Sequence, residues 1–136
     1  MILDNLDKDA TCARAKKLLR SYHSLRRIAG RKLTVLQSPK MDGMPRSQSV
    51  DNNNEHRIQE RLIAAEEVPA IQRAVASLNK DSQTIINGQY IHGSLSNVEM
   101  AQQLGFISDD SGYYRQKKDA LVAFAEAFEY EELLVF

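Results

Sequence analysis

The run LSNVEMAQQLGFISDDSGYYRQKKDALVAF, Leu95 to Phe124, restricts the fold more than any other part of the chain. Ser96 and Glu99 have the S-x-x-E spacing of a capping box. In that arrangement the Ser hydroxyl accepts the Glu99 backbone N–H and the Glu carboxylate accepts the Ser96 N–H. Leu95 and Met100 occupy the two positions of a hydrophobic staple around the same cap. A helix therefore starts at Ser96, with Val98, Ala101 and Leu104 as its apolar stripe, and Gly105 supplies its stop. A second helix starts from a cap at Ser108 or Ser111 and runs through Tyr113, Ala120, Leu121 and Phe124. Those four residues and the stem of Lys117 form a core face, whereas Tyr114, Arg115 and Lys118 form an aromatic and basic one. A short helix, a glycine turn and a longer helix with early cations is the helix-turn-helix plan. The same residues suit an ordinary helical hairpin with solvated cations, and pattern alone supports the two equally.

The 136-residue length fits one compact domain or two very small ones. Cys12 is the only cysteine, so an internal disulfide and a Cys-rich zinc site are both excluded, which favours a reducing intracellular setting. The N-terminus MILDNLDKDA carries three aspartates and no cationic n-region, so no secretory signal is expected. No stretch approaches the roughly 20 apolar residues of a membrane span.

The net charge of zero conceals an asymmetry. Residues 1–40 hold ten Lys/Arg against three Asp/Glu, and residues 96–136 hold three against eight. The basic segment suits contact with phosphate. It equally suits neutralisation by the acidic C-terminus, in the same chain or in a partner's.

Every regular element read from the sequence is helical. Leu18, Tyr22, Leu25, Ala29 and Leu33 form a seam that predicts one long helix from Asp9 to Leu36, weakened at Gly30 by about 1 kcal/mol relative to Ala. Residues 37–54, with Pro39, Gly43, Pro45 and a run of Asn, have linker composition. Helix resumes near Asn54 with Ile58, Leu62, Ala65 and Val68 on one face. Pro69 either kinks that helix or opens the next, which continues through Ile71, Val75 and Leu78. Asp81 is the expected cap of a further helix carrying Ile85, Ile86 and Tyr90, closed by Gly93. The expected organisation is a basic helix (1–36), a flexible linker (37–54) and a helical domain (55–136) whose helix-turn-helix spans about 96–125.

The succession Leu78, Asp81, Ile85-Ile86, Tyr90, Gly93, Val98-Glu99-Met100-Ala101, Leu104-Gly105, Ser108 and Ala120 resembles region 4 of σ70-type sigma factors. Within that group, YYRQKKDALVAFA (Tyr113 to Ala125) is similar to the phage-encoded regulators of the ArpU family. SPKMDGMPRS (Ser38 to Ser47) and AKKLLRSYHSLRRIAG (Ala15 to Gly30) resemble the same family, so the likeness spans most of the chain. It implies an all-α, DNA-binding transcriptional regulator of phage or prophage late genes, for packaging or lysis, in the cytoplasm of a bacterial host. The sequence departs from that pattern at FISDDSG, which lengthens the turn by about two residues and sets Asp109 and Asp110 at the entry of the second helix.

The resemblance makes Tyr114, Arg115 and Lys118 the leading candidates for contact with double-stranded DNA, with Ser111 and Gln116 as lesser ones. RNA polymerase and a second copy of the chain are further candidate partners, the acidic, apolar EAFEYEELLVF terminus being either a packed terminal helix or an association surface. No cofactor, metal site or enzymatic activity is expected, since His23, His56 and His92 lack ligand spacing and no Gly-rich phosphate loop is present. The rival reading is a helical phage assembly protein, small-terminase-like or an adaptor, that oligomerises through its N-terminal helix and acidic tail.

Overall fold

A computed structural model describes residues 5–31, 48–93 and 95–136, with 48–53 described by backbone alone. The protein is all-α, with six helices and no strand among the described residues: α1 (Lys8–Arg20), α2 (Tyr22–Ala29), α3 (Gln48–Ala76), α4 (Lys80–Ile86), α5 (Asn97–Gln103) and α6 (Ser111–Ala127). A π turn, Asn87–Ile91, extends α4.

The expected single N-terminal helix is two. Asp7 caps α1 by accepting the Ala10 N–H, and the helix buries Thr11, Cys12, Ala15, Leu18 and Leu19 along one stripe. It breaks at Ser21, whose hydroxyl donates to the Leu18 carbonyl at 2.6 Å and gives that group a partner outside the helical ladder. The break turns α2 onto α3, where the Tyr22 hydroxyl accepts from Gln72 at 3.0 Å. The expected continuation to Leu36 and most of the expected linker lie outside the described residues.

The third helix starts at Gln48, earlier than expected, and runs unbroken past Pro69. Its buried stripe is Ala64, Val68, Ile71, Ala74 and Val75. Leu62 and Ala65, expected on that stripe, are exposed, Leu62 at 51%, while Ala64 between them is buried. Asn79 caps α4 by accepting the Ser82 N–H, so Asp81 sits in the first turn and is not the cap. The π turn closes with the His92 N–H on the Asn87 carbonyl at 2.7 Å, and Gly93 follows with φ 68°, a left-handed conformation that suits glycine.

The capping box at Ser96 and Glu99 forms with both bonds at 3.2 Å. Met100 and Ala101 are buried, whereas Val98 is 44% exposed. Gly88 in the π turn makes room for the staple. A Cβ there would collide with Met100 Cε and lie 3.2 Å from Leu95 Cδ1.

The last helix occupies the centre of the molecule. Tyr113, Ala120, Leu121, Val122, Phe124 and Ala125 are all buried, and α1, α3 and α4 pack around it. Residues of α1, α3, α4, α5 and α6 share one hydrophobic core. Beyond α6 the chain leaves helix at Phe128 (ψ 119°), so the terminus is an extended tail and not a further helix. The tail returns along α1: the Val135 N–H donates to Thr11 Oγ1 at 3.0 Å, the Asp7 N–H donates to the Val135 carbonyl at 2.6 Å, and Phe128 and Leu133 are buried. Arg14 donates to the Glu132 carbonyl at 3.4 Å, so the basic N-terminal helix and the acidic C-terminus meet within one chain.

Candidate nucleic-acid interface

Asp110 sets the start of α6, its carboxylate accepting the N–H groups of Gly112 and Tyr113 at 3.0 and 3.2 Å. Neither Ser108 nor Ser111 is the cap. Asp110 is thus a cap whose negative charge also suits the helix dipole. Asp109, beside it, accepts the Tyr114 hydroxyl at 2.9 Å.

Of the residues singled out from the sequence, Ser111 and Arg115 are exposed on the outer face of α6 and Tyr114 is 44% exposed. Lys118 lies on the flank facing α1, where its ammonium is 2.6 Å from Asp9 Oδ1. Gln116 lies on the opposite flank and donates to Asp81 Oδ2 of α4 at 3.3 Å. The five candidates therefore fan around the first half of α6, and three of them rest on aspartates from three different elements. The second half of the helix is enclosed by its neighbours, which fixes the direction in which the first half projects.

Tyr113 is fully buried, as the core face required. Its hydroxyl donates to Gln89 Oε1 at 2.8 Å and lies 3.1 Å from Asn97 Oδ1. Burial, with smaller contributions from Tyr114, Tyr90 and Asp109, pushes this phenol up to about 12. Asn97 Oδ1 also accepts from Gln89 Nε2 at 2.8 Å and from Lys117 Nζ at 2.9 Å. One amide oxygen thus joins the π turn, α5 and α6 and holds the helix pair in register.

A cleft of about 700 Å³ opens between α1 and α6. It is lined by Lys16, Lys17 and Arg20 from α1 and by Tyr114, Lys117 and Lys118 from α6, with Asn97 at one end. Lys117 is half-buried there, 5.7 Å from the centre of the Tyr90 ring. Burial, reinforced by Lys16 and Arg20, pulls its ammonium down to about 8. The Cys12 thiol, in the same seam, donates to the Lys118 carbonyl at 3.5 Å, and burial raises its pKa, so it is a packed thiol without activation. Reading the helix pair alone missed this cleft. The available signal was the run of cations at Lys16, Lys17 and Arg20, whose meeting with α6 depends on the fold.

No protein-family model and no solved structure matches the chain. Two curated relatives do. A protein of Enterococcus hirae named "Putative autolysin regulatory protein ArpU" is 27% identical over 136 residues, covering 99% of this chain and 98% of the relative. A protein of Streptococcus phage O1205 with the same name is 30% identical over 138 residues, covering 99% of each. The chain belongs to the ArpU family. Identity at this level over both full lengths includes α1 and the C-terminal tail, so the ArpU relationship covers the whole fold and is not confined to the helix pair. Both relatives are named as regulatory proteins, one of them from a phage. No helix among the described residues is long and apolar enough to cross a membrane.

Proposed function

We propose that this ArpU-family protein is a sequence-specific DNA-binding transcriptional regulator of phage or prophage late genes, acting through α5 and α6 as a helix-turn-helix of the sigma-region-4 kind. The observation that carries the reading is the division of α6: its second half is locked in the core, and its first half presents Ser111, Tyr114 and Arg115 to solvent. A recognition helix works in this way, reading base edges with its N-terminal residues while the rest of the domain holds it. The relatives' names, which make them regulators of an autolysin, favour lysis genes as the target.

On this reading Arg115 donates to guanine O6 and N7 in the major groove, Lys118 holds a phosphate and Tyr114 contacts either base or backbone. Ser111 and Gln116 contribute lesser polar contacts, and the protein works in the bacterial cytoplasm with RNA polymerase or a second copy as a partner. The rival assembly role has less support, because its two association surfaces, α1 and the acidic tail, bond to each other within one chain.

The test is a titration of the full chain, at fixed salt, against duplexes from upstream of the neighbouring operons. One duplex is expected to be preferred, and Arg115→Ala to lower that preference by about 1–3 kcal/mol. Equal affinity for every duplex, or a preference untouched by Arg115→Ala, defeats the reading.

A further inference from the structure

The cleft between α1 and α6 has an excess of positive charge. Five cations line it, Lys16, Lys17, Arg20, Lys117 and Lys118, against one carboxylate, Asp9, which is already engaged by Lys118. Lys17 also borders Glu131 and Glu132 of the tail. Among the described residues Lys16, Arg20 and Lys117 form no ion pair. The protein thus holds like charges close together around a recess that Cys12, Ala13 and Leu121 also line. Such an arrangement attracts an anion, and Asn97 Oδ1 holds the Lys117 ammonium, which lines the recess, at 2.9 Å.

The position of the cleft indicates which anion. Tyr114 and Lys118 belong both to the cleft wall and to the exposed half of α6. An α-helix with its side chains is about 10–12 Å across and the major groove is about 12 Å wide. A helix in the groove is therefore flanked closely by both sugar-phosphate backbones, and on the α1 side of α6 the flanking position is the mouth of this cleft.

We propose that the cleft seats a backbone phosphate of the same duplex that α6 enters, so that α1 is half of the DNA interface. Lys16 and Arg20 close on the phosphate from α1, Lys117 from α6, and Tyr114 stands beside it. This rests on the DNA-binding reading given above and adds to it a sequence-independent clamp. Lys117 is faced by Lys16 and Arg20 of α1, Lys118 of its own helix, Asn97 of α5 and Tyr90 of the π turn. A bound phosphate relieves the repulsion from Lys16 and Arg20, so duplex binding takes up a proton at mildly alkaline pH.

The test compares the full chain with Lys16→Gln/Arg20→Gln and with Arg115→Ala, titrating duplexes over a range of salt. A second probe, inorganic phosphate, is followed through the NMR signal of the Asn97 side-chain amide. The expected result is that the double variant binds every duplex more weakly with its preference ratio kept, and that its salt slope flattens by about 1. Phosphate should shift the Asn97 signal in the wild type and not in the double variant. If the double variant binds with unchanged affinity and slope while Arg115→Ala loses preference, the clamp is refuted and the α6 reading stands. If the wild type binds no duplex yet phosphate shifts Asn97, the α6 reading fails, the duplex clamp fails with it, and the cleft belongs to a free phosphorylated ligand.

Discussion

Asp9 Oδ1 lies 2.6 Å from Lys118 Nζ, so the first turn of α1 is tied to the exposed flank of α6. The hydrogen bond and charge of Lys118 lower the Asp9 pKa, and Asp9 in turn raises that of Lys118. On the proposed DNA-binding reading, Asp9 competes with a backbone phosphate for the Lys118 ammonium. Asp9→Asn is therefore expected to increase affinity for all duplexes and to steepen the salt dependence, leaving the melting temperature nearly unchanged because the pair is solvated. Weaker duplex binding by Asp9→Asn would show that the pair positions Lys118 and does not compete for it.

Tyr113 tests the polar network beneath the helix pair. Tyr113→Phe keeps the ring in the core and removes the donor to Gln89 Oε1, while Asn97 Oδ1 keeps its donors Gln89 Nε2 and Lys117 Nζ. A loss of about 1–2 kcal/mol in urea unfolding is expected. No loss would mean that Gln89 Oε1 finds another donor without the phenol.

Gly88 and Met100 should behave as a coupled pair. Gly88→Ala drives a methyl into the buried Met100 side chain, with an expected cost of about 1–3 kcal/mol. Met100→Ala alone leaves a cavity and should cost about 2–5 kcal/mol. In the double variant the new methyl fills part of that cavity, so the combined loss should fall below the sum. Strict additivity in a denaturation cycle would rule out the contact.

The folded-state pKa of Lys117, about 8, lies below its ordinary 10.5. Between those values the unfolded chain binds more protons, so this group's contribution to stability rises with pH across that window and is least favourable below about 8. Tyr113 and Cys12 have raised values and act in the opposite direction at alkaline pH, which makes a difference measurement necessary. The unfolding free energy of wild type minus that of Lys117→Met should increase from about pH 8 to about pH 10. A flat difference would place the Lys117 ammonium in water.

Local signals in the sequence were accurate where the partners lie within one turn of each other. The capping box at Ser96, the glycine stops at Gly93 and Gly105, the buried ring of Tyr113 and the all-helical character all depend on bonds or periodicities spanning a few residues. The errors arose where two local choices were nearly equal in energy. Asp110 displaced Ser108 and Ser111 as the cap of α6, Asn79 displaced Asp81 at α4, and Ala64 took the buried position expected for Leu62.

The sequence alone determined the all-helical class, the capped start at Ser96 and membership of the ArpU family, since propensity, local capping and identity are properties of the chain itself. Tertiary structure alone decided which cations meet. Lys16 and Arg20 line one cleft with Lys117 because α1 packs against α6, and the tail is bonded to α1 through Thr11 and Val135, 124 residues apart. A contact of that separation has no local sequence signature, because it exists only when the intervening helices have packed and brought the two ends of the chain together.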